Sequence, residues 1–399
     1  MSNALRWLGC LVALAFGTSA CATGSSAGWR SHATDSEARV THYTDDNGLD
    51  VTTFVARAER PVSGTSTVFA RGVADHVVLT PKPLHPPHQA GNQATGHFDS
   101  DVVTSASSTA GGSASSDKWR YEGTLGGQHA FDLADDVPVT VRAFGRVSSE
   151  PDYASYSGVV RATGDFAQRN ATVALFGGYG YDRVMPFQAP PGQQKDWPAS
   201  HDRILVGASF AQILSPSLVL SAGVGATRQH GALENPYRRA VVRTTLFPEA
   251  VPNDRYRYTF VLGLAWHIGW GTALHLAQGA YVDSWGVTSA VPQAQLAKEL
   301  GAHALLVARY RFVGQTSASF YEPVYTERLP TMTGDARLGT LREQAGALGA
   351  RWTVVGEPGE AFALTFFAEE EISRLEYVRL LVNQVVLASV TSIGVGALF

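Results

Sequence analysis

The stretch Arg255-Tyr256-Arg257-Tyr258-Thr259-Phe260-Val261-Leu262-Gly263-Leu264-Ala265-Trp266-His267-Ile268 decides the fold. Even positions carry Tyr, Tyr, Phe, Leu, Leu, Trp and Ile, while odd positions carry Arg, Arg, Thr, Val, Gly, Ala and His. A strand sends alternate side chains to opposite faces, so this period of two makes one apolar face and one mixed, polar face. The pattern recurs over 303–320, where Leu306, Tyr310 and Phe312 alternate with Arg309, Arg311, Gln315, Ser317 and Ser319. It recurs over 119–131, where Trp119, Tyr121, Leu125 and Phe131 oppose Arg120, Glu122, Thr124 and Gln128, and over 139–150, where Val139, Val141, Ala143 and Val147 oppose Thr140, Arg142, Arg146 and Glu150.

Two architectures bury one face of a long antiparallel strand. In a soluble sandwich the apolar face points into a core; in a membrane barrel it points at lipid and the polar face lines the lumen. Soluble strands average about 5–6 residues. The runs here span about 10–16, which suits a tilted strand crossing a bilayer.

Strands are expected near 36–45, 49–60, 64–80, 118–132, 138–149, 156–167, 171–185, 203–214, 217–229, 256–268, 272–286, 290–300, 303–321, 342–356, 360–372 and 381–399. Their connections alternate between two classes. Tight turns fall at Ser63-Gly64, Asp135-Asp136, Arg169-Asn170, Ser215-Pro216, Gly269-Trp270-Gly271, Gly301-Ala302 and Glu357-Pro358-Gly359, and the long members of the other class at about 81–117, 186–202, 230–255 and 322–341. Tight periplasmic turns with longer outer loops are the habit of a bacterial barrel. The expected fold is therefore all-β: a transmembrane antiparallel up-and-down β-barrel of about sixteen strands, with both termini in the periplasm.

Composition agrees. The chain has 399 residues, 45% hydrophobic and 17% charged, too apolar to be disordered and charge-poor for a soluble protein. Mean hydropathy near zero argues against many membrane helices. A formal charge of -4, with only four lysines (Lys82, Lys118, Lys195, Lys298), excludes the basic field of a nucleic-acid binder.

Residues 1–22 read as a signal peptide. Arg6 opens a basic region, Trp7 to Phe16 is apolar, and Ala20 and Ala22 flank an A-x-A cleavage pattern. The mature chain is then 23–399. A competing lipoprotein reading rests on Thr18-Ser19-Ala20-Cys21, which lacks the usual Leu three places before the Cys. Cys10 and Cys21 are the only cysteines, so cleavage leaves no disulfide framework, thiolate metal site or Cys nucleophile. Two stretches without formal charge, 204–227 and 380–399, are long enough for helical anchors. Ser215-Pro216-Ser217 breaks the first as a turn, and the second, rich in Val, Ser and Thr, suits a closing strand. Its terminal Phe399, with Ile393 and Val395 at alternate positions, is the pattern that barrel-assembly machinery reads.

Several phrases resemble a known family. They are Asp99-Ser100-Asp101-Val102-Val103-Thr104-Ser105-Ala106-Ser107, Trp119-Arg120-Tyr121-Glu122, Ser149-Glu150-Pro151-Asp152-Tyr153-Ala154-Ser155, Ala208-Ser209-Phe210-Ala211-Gln212-Ile213-Leu214-Ser215-Pro216, Asn235-Pro236-Tyr237-Arg238, Tyr281-Val282-Asp283-Ser284-Trp285-Gly286-Val287 and Tyr310-Arg311-Phe312-Val313-Gly314-Gln315. In this order they resemble the bacterial outer-membrane barrels catalogued as domain of unknown function 3570, over roughly 40–399. The chain departs at Ala277-Gln278-Gly279, where the family has Tyr-Arg, and 81–98 looks like an insertion. The resemblance implies the barrel and the outer membrane; it implies no activity.

Candidate sites follow from the face assignment. The inferred lumen face carries Arg71, Arg120, Arg142, Arg146, Arg161, Arg309, Arg311 and Arg351, with Asp75, Glu122, Glu150 and Asp165 beside them. Such a ring either favours anions in a pore or forms cross-strand ion pairs. His85, His88, His97 and Asp99, with Asp101, are weak metal candidates, because Pro86 and Pro87 hold an extended backbone between the first two imidazoles. Asp283, Ser284 and His275 invite a hydrolase reading, yet Ser284 falls on the face opposite Asp283. The alternative there is an aromatic girdle of Tyr281 and Trp285 at the lipid boundary. Glu369-Glu370-Glu371 reads as a solvated outer-loop edge. No cofactor is implied. Expected partners are outer-membrane lipid, the barrel-assembly machinery and small solutes, with no nucleic acid. The best-supported role is a pore for small hydrophilic solutes with an anion preference and the loop at 81–117 as a constriction. A closed-lumen surface scaffold is the rival, with an envelope enzyme behind it.

Overall fold

The computed structural model describes residues 34–79, 116–134, 137–186, 197–356, 362–378 and 385–399. The leader at 1–22, the loop segment 81–115, and with it His85, His88, His97 and Asp99, lie outside the described residues. The strands in chain order are β1 (Asp35–Asp45), β2 (Leu49–Pro61), β3 (Ser66–Leu79), β4 (Ser116–Ala134), β5 (Val137–Glu150), β6 (Tyr153–Phe166), β7 (Ala171–Val184), β8 (Ala199–Ser215), β9 (Leu218–Gly231), β10 (Arg239–Val242), β11 (Thr245–Pro248), β12 (Asp254–Gly269), β13 (Thr272–Asp283), β14 (Thr288–Leu300), β15 (Ala304–Gln315), β16 (Leu341–Val355), β17 (Ala363–Tyr377) and β18 (Val385–Leu398).

Sixteen of them, all but β10 and β11, form one closed antiparallel barrel in which each strand pairs with its neighbours in the chain. Closure joins β1 to β18, from Asp35 opposite Leu398 to Asp45 opposite Ala388. A closed sheet has no edge, so every ladder group finds a partner without water. With strands about 4.8 Å apart and tilted about 40°, sixteen make a ring roughly 30 Å across. The two stretches that were long enough for helices are strands: β8 and β9 with the turn at Pro216, and β18.

The start of β1, the end of β18 and the connections β2–β3, β6–β7, β8–β9, β12–β13 and β14–β15 share one rim, here the turn end. The connections β1–β2, β5–β6, β9–β12, β13–β14 and β15–β16 share the other, the loop end. At the turn end, Gly269 and Gly271 take φ of 115° and 65° around Trp270, a left-handed backbone that glycine adopts without a Cβ clash. Proline has no amide to donate, and the β14–β15 ladder skips Val291 and Pro292.

The outward face is apolar. Tyr256, Tyr258, Phe260, Leu262, Trp266 and Ile268 of β12 are all exposed, as the alternation requires. Trp119, Tyr121, Tyr156, Tyr179, Tyr181 and Tyr310 gather toward the loop end; Phe131, Phe166, Phe210, Trp352, Phe362, Phe366 and Phe399 lie toward the turn end, with Trp270 at the turn tip. Aromatic rings at both edges of an apolar band are the arrangement of a bilayer-spanning barrel.

Two loops depart from expectation. The connection 232–253 contains the small hairpin β10–β11, paired from Arg239 opposite Pro248 to Val242 opposite Thr245. The strand expected over 303–321 stops at Gln315, so Ser317 and Ser319 belong to the loop 316–340. That loop carries a single 3-10 turn, Ala336–Leu338.

Candidate functional site

The inner wall carries the charges that the alternation assigned to it. Toward the turn end and mid-height they form chains across β1 to β5. Arg71 and Arg146 both hold Glu122, at 3.1 and 2.6 Å. Arg57 and Arg142 share Glu59, at 2.9 and 3.7 Å, and Arg142 lies 3.8 Å from the centre of the Phe69 ring. Exposure divides these partners: the Arg71 side chain is 39% exposed and its partner Glu122 only 6%. Across β15 to β17, Arg309 reaches Glu369 and Glu371 at 2.7 and 2.9 Å, and Arg311 reaches Glu343 and Glu371 at 2.7 and 3.1 Å.

The triplet Glu369-Glu370-Glu371 is thus no loop edge. It sits inside β17, where the pleat turns Glu369 and Glu371 to the arginines and Glu370 outward, and Glu370 accepts hydrogen bonds from the Ser389 and Thr391 hydroxyls. Asp165 accepts from Thr172 at 2.7 Å, and Arg161 donates to Thr163 at 3.3 Å. Arg351 is exposed on β16 and makes no ion pair within 4 Å among the described residues.

Toward the loop end the same chemistry is packed. Asp75 pairs with Arg120 at 2.5 Å. Asp182 pairs with His201 at 3.0 Å and with Arg203 at 3.4 Å. Asp283 binds the Arg255 guanidinium, accepts from the Tyr281 hydroxyl at 2.7 Å, and takes the Trp285 and Val287 amides at 3.0 Å each. Tyr281 and Trp285 are buried in a cluster with Val251, Val287, Ala318, Tyr321 and Leu338. They face inward and are not a lipid-boundary girdle, because Tyr281 shares its pleat parity with Asp283. The hydrolase reading also fails on distance. His275 and Asp283 share a face but lie eight residues apart on one strand, about 27 Å, and the Ser284 hydroxyl accepts from the Tyr256 amide on the other side.

Above this packed layer two loops join. Backbone bonds run from Arg243 N to Tyr325 O, from Tyr325 N to Val241 O, and in both directions between Ala250 and Met332, at 2.7–2.9 Å. Ala240, Val242, Tyr325 and Met332 form a core between the loops. The Tyr325 hydroxyl donates to Phe320 O at 2.7 Å and accepts from Thr333 N at 2.9 Å. Glu249 accepts from Asn235 N at 2.6 Å and from the Thr333 hydroxyl. Burial, with Asp335 nearby, pushes Glu249 up to about 7. Arg238 and Arg337 hold Asp335 well below the usual carboxylate range despite its burial.

The joined loops reach both sides of the mouth. Tyr237 donates its hydroxyl to Asp152, in the β5–β6 turn, at 2.6 Å, and Lys118 of β4 holds the same carboxylate at 3.2 Å. Next along the chain, Arg238 pairs with Asp335 at 3.5 Å. Gln315, at the top of β15, donates to Arg337 O at 2.6 Å and Gly339 O at 3.1 Å. In the closed strand order, β6 to β9 and β12 to β14 lie between the β5–β6 turn and β15, seven of the sixteen strands. The anchors are therefore nearly opposite each other, and the loops make a strap across the mouth.

Sequence reasoning missed the strap and several inner-wall charges: Arg39, Arg57, Arg203, Arg255, Arg257, Asp182, Glu343, Glu369 and Glu371. Pleat parity marks each of the charges. The strap had a weaker signal, the paired apolar runs Ala240-Val241-Val242 and Leu246-Phe247. No three of His, Cys, Asp and Glu converge as a metal site among the described residues.

Closed barrel, apolar outer band and charged inner wall define a transmembrane β-barrel protein. Over residues 8–364 the chain matches the family described as "Protein of unknown function (DUF3570)", and it belongs to that family. No curated protein matches the chain. Among solved structures it is similar to the outer membrane protein OpdK from Pseudomonas aeruginosa (11% identity, TM-score 0.42, covering 93% of this chain and 100% of that one). It is also similar to the siderophore receptor PirA (10%, TM-score 0.40, 87% and 57%) and to a mutant of the ferric enterobactin receptor PfeA (10%, TM-score 0.42, 88% and 54%), both from the same organism. The chain spans little more than half the length of those two receptors.

Proposed function

We propose that this protein is a pore of the bacterial outer membrane for small hydrophilic solutes, with a mild anion preference and a mouth narrowed by the strap. One observation carries the reading. On the β2–β5 wall the arginines face the lumen while their carboxylates lie beneath them: side-chain exposure is 39% against 6% for Arg71 and Glu122, and 26% against 6% for Arg146 and Glu122. A solute in the lumen meets guanidinium groups, with the countercharge set back in the wall. Residues 1–22 act as the export signal, and the exposed Phe399 at the closing seam serves the barrel-assembly machinery. The turn end faces the periplasm and the loop end the cell exterior.

The test is planar-bilayer conductance of refolded protein, with reversal potential under a KCl gradient. Discrete steps with a reversal potential on the chloride side support the reading. A folded, heat-modifiable barrel that gives no steps overturns it. The rival, a surface scaffold with a closed lumen, draws on the strap itself, whose buried core presents an ordered surface to the exterior. It predicts no steps from wild type.

A further inference from the structure

Asp283 is saturated: Arg255 donates twice, Tyr281 once, and the Trp285 and Val287 amides once each. A carboxylate has about four lone-pair sites. Arg257 stands opposite Asp283 in the β12–β13 register and finds no acceptor left there. It makes no ion pair within 4 Å with any described residue, and its Nε is buried without a hydrogen-bond partner. Arg255 stands two residues nearer the mouth on the same face, and Arg203 lies in its cross-strand row through Gln229. The Gln229 side-chain oxygen is also buried without a partner. Among the described residues of this wall, three guanidiniums, with His201 beside them, face the two carboxylates Asp182 and Asp283, a surplus of one positive charge before His201 is counted.

An unpaired guanidinium held below the mouth, opposite a carboxylate whose sites are already taken, is costly unless something fills its fork. We propose that Arg257, with Arg255 and Arg203 adding positive field, is the binding point for the oxyanion of a small solute, a carboxylate or a phosphate, just beneath the strap. The site rests on the pore reading only for its access route. The planar guanidinium fork matches both oxyanions, and the strap loop 232–253, which leads directly into β12, places the site where a solute passing the mouth first meets an uncompensated charge.

The test is isothermal titration calorimetry of the refolded full chain in detergent micelles, with inorganic phosphate and succinate as separate probes. Wild type is expected to bind at least one probe saturably. R257Q is expected to weaken that binding roughly tenfold, R257K less, and the outer-face variant R228Q to leave it unchanged. Binding of phosphate alone assigns a phosphorylated solute, of succinate alone a carboxylate, and of both a general oxyanion site. No binding of either probe by wild type overturns the proposal; so does wild-type affinity in both Arg257 variants. If R257Q does not fold, R257K and wild type still decide. Conductance of the same preparations separates the two claims: binding without steps keeps the site and removes the pore, while steps without binding keep the pore and remove the site.

Discussion

The two halves of the barrel interior use one chemistry to opposite ends. At mid-height and toward the turn end, arginines such as Arg71 and Arg57 lie 39% and 35% exposed beside carboxylates set deeper in the wall. Toward the loop end, the side chains of Asp182 and Asp283 are fully buried, and those of Arg203 and Arg255 nearly so. The first arrangement leaves charge facing water, where an ion pair adds little stability. The second removes charge from water, so the pairs hold only because countercharge lies close: Asp283 collects donors from Arg255, Tyr281 and two amides, and Asp182 lies 3.0 Å from His201 and 3.4 Å from Arg203. Interior position therefore decides what an Arg–carboxylate pair does: the packed pairs hold the wall under the strap, and the exposed ones present a field to the lumen.

The largest effect that would break this contrast lies in the strap. Tyr325 is 2% exposed, and its ring fills the core between the loops. Tyr325→Ala should cost the strap roughly 3–5 kcal/mol. Limited proteolysis should then cut within 232–253 and 316–340 while the barrel keeps its heat-modifiable migration. Loss of the folded barrel as well would mean that strap and wall are one cooperative unit. Next is Asp283→Asn, which leaves Arg255 buried without a countercharge, at a cost of roughly 3 kcal/mol. The urea midpoint should fall clearly, whereas Arg57→Gln at the turn end should hardly move it.

A smaller effect depends on pH. Glu249 is pushed up to about 7 from the ordinary 4.5, so the folded seam holds its proton more tightly than the unfolded chain does. Its stabilisation is complete below pH 4.5 and is lost as pH rises through 7. Asp335 works the other way: its carboxylate is held low by Arg238 and Arg337, so its contribution is lost only in strong acid, below the ordinary 3.8. Hydrogen-exchange protection in 232–253 and 316–340, taken relative to the intrinsic rate at each pH, should therefore be lower at pH 8 than at pH 5.5, and Glu249→Gln should remove the difference. A slope of opposite sign would contradict the assignment. The smallest expected change in stability is that of Arg71→Gln, within about 1 kcal/mol because the group is exposed. Its signature should be in selectivity, as a reversal potential shifted toward cations.

The barrel was legible because lipid and lumen divide the residues of one strand by parity alone. Arg255 to Ile268 announces β12, and the same alternation places Arg309, Arg311, Arg120 and Arg142 on the inner wall. Reading residue type ahead of parity caused the misplacements. Tyr281 and Trp285 looked like boundary aromatics, though Tyr281 shares its parity with the buried Asp283. Glu369-Glu370-Glu371 looked like a solvated edge, though alternation sends two of the three toward Arg309 and Arg311. The strap was illegible for a different reason. Its core joins Val242 to Tyr325 and Ala250 to Met332, across loops separated by four strands, and no local period reports such a meeting. The unpaired state of Arg257 was hidden likewise, because it depends on how many donors Asp283 already holds.

The most direct test compares single-channel conductance of wild type with Tyr325→Ala, both folded, in planar bilayers. A water-lined barrel narrowed by the strap predicts small steps from wild type and clearly larger steps from the variant. Equal steps from the two proteins, or silence from both, would contradict the account.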